Sequence, residues 1–102
     1  MITRDASITG VELIRDDPAL ARGLFDDAMA LLANGDPGPA RLLLRDLVKG
    51  TMGFEPLSRS TGIPAKSLHR MLSARGNPAM DNLSAIFNTL REALGVKAME
   101  AA

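Results

Sequence analysis

Between residues 18 and 34, apolar side chains recur at Leu20, Leu24, Phe25, Ala28, Leu31 and Leu32, a spacing that returns to one face of a helix. Asp17 and Pro18 stand ahead of this run as an N-cap acceptor and a residue whose fixed φ suits the first helical turn. Asn34-Gly35 follows it, and either residue can take the left-handed conformation that ends a helix. The spacing therefore predicts a helix over 18–34. Upstream, Val11, Leu13 and Ile14 form a short apolar cluster compatible with an extended arm or with a partial turn. Asp36-Pro37-Gly38-Pro39 reads as a turn or a new helix start. After it, Leu42, Leu43, Leu44, Leu47 and Val48 surround a second helix that ends at Gly50. Three consecutive leucines require burial on more than one side.

The remaining pattern is more finely divided. A short segment over 54–61 leads through Gly62-Ile63-Pro64 into a helix over 65–73, which Gly76-Asn77-Pro78 separates from a last helix over 79–94. Met80, Leu83, Ile86, Phe87, Leu90 and Leu94 form one stripe on that helix, and Gly95 is its stop. Met71, Met80 and Phe87 read as core residues. Residues 97–102 are small and read as a frayed tail.

Composition supports an all-α chain. Of 102 residues 46% are hydrophobic, enough for one compact core, and with three Phe and no Trp or Tyr they lack the aromatic chemistry favoured in sheets. Without cysteine there is no disulfide, thiolate metal site or thiol nucleophile, and a single His removes the usual zinc constellations. No phosphate loop, paired catalytic carboxylates or nucleophile with its base is visible, so the sequence points away from an enzyme and calls for no cofactor and no metal. Charged residues interrupt the first 17 positions every few residues, so neither a secretion signal nor a membrane span is expected there, and a cytoplasmic protein is. Asn82-Leu83-Ser84 fits a glycosylation sequon but falls inside a predicted helix and carries no weight.

Charge refines this picture. The formal net charge is zero, which taken alone argues against a nucleic-acid partner. Yet residues 1–36 hold three arginines against seven acids, a net of −4, whereas residues 37–75 hold seven basic residues against Asp46 and Glu55, a net of +5. The domain expected over 1–102 thus divides into an acidic arm and helix (1–36), a basic core (37–96) and the tail.

Within the basic part, residues 54–72 have the pattern of a helix-turn-helix. Such a pair needs a small residue where the helices cross and a turn residue that tolerates positive φ, demands met by Ser58 and Gly62. Leu57, Ile63, Leu68 and Met71 weld the two helices together, with Leu72 extending the buried face. The polar positions of the second helix then fall outward, and this is the helix that enters a DNA major groove. Ala65, Lys66, Ser67, His69 and Arg70 are the candidates for reading bases, Lys and Arg being matched to guanine and Ala to a thymine methyl. Thr51, Arg59, Ser73, Arg75 and Asn77 flank the motif and are the candidates for phosphate contact. Lys66, Arg70 and His69 taken singly are ordinary surface residues; their shared face carries the reading.

The stretch LSRSTGIPAKSLHRMLSARGNPAMDNLSAIFNTLREALGV resembles the lambda-repressor-like addiction-module antidotes, the antitoxin halves of toxin–antitoxin pairs. The resemblance covers residues 54–96 and extends, through the Gly-Asp-Pro and the leucine-rich helix, to about residue 17. It implies a five-helix lambda-repressor-like DNA-binding domain with an extra N-terminal helix. It further implies a homodimer that represses its own operon and neutralises a ribonuclease-type toxin. Two positions depart from the family pattern. Glu55-Pro56 stands where helix-forming polar residues including Gln are usual, which leaves one usual phosphate contact without its residue, and Pro64 replaces a more common Ser. Both prolines fall in the first turn of a helix, where they are tolerated.

The acidic N-terminal part reads either as ordinary solvated surface or as a face for a basic partner, with Asp16, Asp17, Asp26 and Asp27 supplying the complementary charge. That second reading allows an alternative function, a protein-interaction module that binds its partner through the acidic helix and never meets DNA.

Overall fold

In the computed structural model, which describes residues 10–96, the chain forms six helices: α1 (Gly10–Asp16), α2 (Pro18–Ala33), α3 (Pro37–Gly50), α4 (Phe54–Thr61), α5 (Ala65–Met71) and α6 (Met80–Leu94). Among the described residues there is no strand. The arm over 1–9 and the tail expected over 97–102 lie outside the described residues.

Among the described residues there are six helices, one more than the five that the apolar spacing predicts, because the cluster around Ile14 is itself helical. Seven residues are too few for a helix to persist alone in water, so docking must supply its stability. Ile14 is buried against α3, where a Cβ on Gly50 would come within 2.6 Å of the Ile14 Cγ2. Gly50 thus does more than end α3; its missing side chain lets α1 lie against it. The Asp36-Pro37 ambiguity resolves as a helix start, with α3 beginning at Pro37.

α2 begins as its cap predicts, with the Asp17 Oδ1 accepting from the Leu20 backbone N–H at 3.1 Å. Its buried line is Ala21, Phe25 and Ala28. Leu20, expected on that face, is 36% exposed, because the line of closest approach passes one residue further round the helix. All six helices or their caps feed one apolar cluster, which includes Ile14, Phe25, Leu47, Leu57, Leu72, Ile86 and Leu90. Phe25 of α2 and Phe87 of α6 meet edge to face with centroids 5.6 Å apart, a favoured aromatic geometry. Met80 corrects the expected stripe of α6: it is 72% exposed, on the rim of an open groove that it lines with Met29, Leu32 and Ala33 of α2. Among the described residues no helix is long and apolar enough to cross a membrane.

Candidate nucleic-acid interface

α4 and α5 are held at an angle by local chemistry that begins at Gly62. This residue caps α4 in the left-handed conformation, φ +76°, and returns its N–H to the Ser58 carbonyl. The Ser58 hydroxyl then reaches across the bend to donate to the Ile63 carbonyl at 2.6 Å. The Thr61 hydroxyl donates to the Leu57 carbonyl at 2.8 Å and accepts from the Ile63 N–H at 3.2 Å. The three-residue turn is therefore closed by side chains on both sides. Leu57, Leu68 and Leu72 are fully buried beneath it, while Ile63, Ala65 and Met71 pack at its edge.

Burying Leu68 and Leu72 fixes which residues of α5 face outward. At 100° per residue Lys66 and Arg70 stand opposite that pair, and both are exposed. Ser67 and His69 lie to either side of this central pair, in different surroundings. The His69 ring stacks on Phe54 with centroids 3.8 Å apart and planes 22° from parallel, so one face of the imidazole is covered by the start of α4. Ser67 opens instead into a shallow basin shared with Arg70, Arg75 and Asn77, floored by Met71 and Gly76. Two guanidiniums, a hydroxyl and an amide thus surround one depression at the end of α5, the donor set for a phosphate oxygen.

The loop after α5 owes its position to two contacts. A Cβ on Gly76 would overlap the carbonyl oxygen of Met71, so only glycine lets the chain double back against the helix end. Arg41 of α3 donates from Nε to the Ser73 carbonyl at 3.3 Å and from Nη2 to the Ala74 carbonyl at 3.1 Å. A cation at the C-terminal end of a helix also meets its partial negative charge. Arg41 is therefore a positioning residue that entered the sequence reading only as one of seven basic charges. No local signal marks it, because its partners lie 32 and 33 residues away. A second of those basic residues, Arg45, lies 3.8 Å from Asp46.

The remaining expected residues fall in different places. Arg59 is exposed near the end of α4. The Ser73 hydroxyl donates to the Arg70 carbonyl at 2.7 Å, which uses its proton to finish α5. Thr51 donates to the Leu47 carbonyl at 2.5 Å and lines a separate hollow with Ile14, Pro18 and Leu94, apart from the basin. The four aspartates sit in different local settings. Asp17 caps α2, Asp16 closes α1, Asp26 borders a groove between α2 and α6, and Asp27 points about 100° further round the helix. Among the described residues no group of three His, Cys, Asp or Glu side chains is placed to hold a metal ion. Comparison with protein-family models, curated proteins and solved structures finds no match to this chain.

Proposed function

We propose that the protein is a sequence-specific DNA-binding regulator of the lambda-repressor-like type, with α5 as its recognition helix. The observation that carries this reading is the pairing of two features on one surface. Lys66 and Arg70 project outward from a helix locked by the Gly62 turn, and the Ser67–Arg70–Arg75–Asn77 basin lies beside them. In this reading the start of α5 enters the major groove. Lys66 and Arg70 donate to guanine O6 and N7, Ala65 meets a thymine methyl, and the basin grips the adjoining phosphate. His69, steadied by Phe54, reads or contacts the other side. Because the chain is neutral overall, attraction to DNA comes from this local face, and nonspecific affinity is modest.

A recognition helix of seven residues covers one half-site, so the regulator acts as a homodimer on half-sites about 34 Å apart. The resemblance of residues 54–96 to the antidotes supports a cytoplasmic antitoxin that represses its own operon and binds a ribonuclease-type toxin.

The test is an anisotropy titration with duplex from upstream of the protein's own reading frame, against a scrambled duplex. Lys66→Ala and Arg70→Ala each weaken specific binding by about 1–3 kcal/mol where the side chain makes a two-pronged base contact. Unchanged affinity in both variants removes α5 as the reading element. Absence of DNA binding at low salt, with capture of the product of the adjacent reading frame, leaves the protein-interaction module instead.

A further inference from the structure

The face formed by α2 and α6 carries apolar groups that the fold leaves uncovered. Its floor is the Phe25–Phe87 pair. Above it Met29 is 38% exposed and Met80 72%, and the two line an open groove together with Leu32 and Leu83. The groove continues into a second hollow whose two lips carry opposite charges, Asp26 on α2 and Arg91 on α6. Among the described residues neither is in an ion pair, and the Arg91 guanidinium donates only to the Asn88 side chain on its own helix.

We infer that this groove is the interface between two copies of the chain. A twofold axis running along the groove, in the plane of contact, exchanges its lips, so Asp26 of one copy faces the partner's Arg91 and the reverse contact forms at the same time. The charges on the lips are therefore self-complementary, whereas a strongly basic or strongly acidic partner meets a like charge on one lip. Zero net charge lets two copies approach without long-range repulsion. Methionine suits such a surface because its flexible thioether adapts to a facing copy of itself. Met80 opens α6 shortly after Met71 closes α5, so this interface couples through one loop to the end of the proposed recognition helix. The face is short: helices of 15 and 16 residues run roughly 22–24 Å. A standard interface takes about 800 Å² from each partner, so this face is small and the dimer is tested up through the micromolar range.

Sedimentation of the full chain without DNA tests this independently of the DNA-binding reading. The wild type approaches twice the chain mass as its concentration rises through the micromolar range. Met29→Glu combined with Met80→Glu shifts it to the monomer, with the helical circular dichroism spectrum retained and the melting temperature no longer rising with protein concentration. Asp26→Arg and Arg91→Asp each weaken self-association at least tenfold, and an equimolar mixture of these two variants recovers the dimer, since every cross-pair in the mixed dimer is again opposite in charge. A wild type that stays monomeric, a Met29/Met80 variant that stays dimeric, or a mixture that behaves as the average of its components overturns the assignment. Each of those results leaves DNA binding by α5 to be judged on its own titration.

Discussion

The guanidinium of Arg41 reaches from α3 to the Ser73 carbonyl, 3.3 Å from its Nε, and so ties the middle of the chain to the exit of the proposed recognition helix. Arg41→Ala removes this hydrogen bond and its companion to Ala74. The expected loss of stability in urea unfolding is about 1 kcal/mol, the ordinary net worth of a half-solvated hydrogen-bonded pair. DNA affinity falls several-fold as well, because Arg75 and Asn77 lose their frame. Arg75 keeps its charge in this variant, so the salt slope of binding falls by less than it does when that charge is deleted.

Arg75→Ala separates from this by its salt slope. Removing one phosphate-binding cation lowers the slope of log K against log salt by about 0.9. Binding to the operator and to a scrambled duplex weakens by the same factor, because a phosphate carries no sequence. An Arg75 variant that discriminates less between the two duplexes shows that Arg75 reads a base instead.

Two glycine substitutions to alanine differ in sign. At Gly76 the added Cβ overlaps the Met71 carbonyl and forces the loop away from α5, with an expected destabilisation of about 1–3 kcal/mol. At Gly23, inside α2, nothing lies within 4 Å of the new methyl, and alanine stabilises the helix by about 0.5–1 kcal/mol. Thermal unfolding of the pair checks both directions against one wild type.

Gly62→Ala meets open space, so its cost is purely that of holding φ at +76°. About 1–2 kcal/mol is expected, and Gly62→Asn recovers part of it because Asn enters the left-handed region more readily. If the two variants unfold alike, the turn has relaxed to another conformation.

Phe54 is nearly buried and supports the ring of His69. Phe54→Leu keeps an apolar side chain at the site while removing the stacked ring. Its expected signature is a change of the His69 ring resonances in NMR, with stability reduced by less than about 1.5 kcal/mol.

How far the sequence foretold all this varies along the chain. Cap and turn signals are short-range, so Asp17-Pro18, Gly62 and Gly95 marked their helix boundaries, and the four-residue spacing of Leu68 and Leu72 was enough to turn Lys66 and Arg70 outward. The same local logic misjudged Leu20 and Met80, because periodicity defines an apolar face but not how far along or around the helix a neighbour covers it. Packing alone decided that residues 10–16 coil, since so short a helix exists only against α3 and the gap left by Gly50. It also decided that Arg41 serves the loop beyond α5, that Thr51 and Ser73 spend their hydroxyls on helix ends, and that Asp26 borders a groove between α2 and α6. Sequence by itself determined the all-helical character and the outward face of α5, which depend on neighbours within one or two turns. Which charges and apolar groups share a surface depends on residues far apart in the chain, and only the tertiary structure decided that.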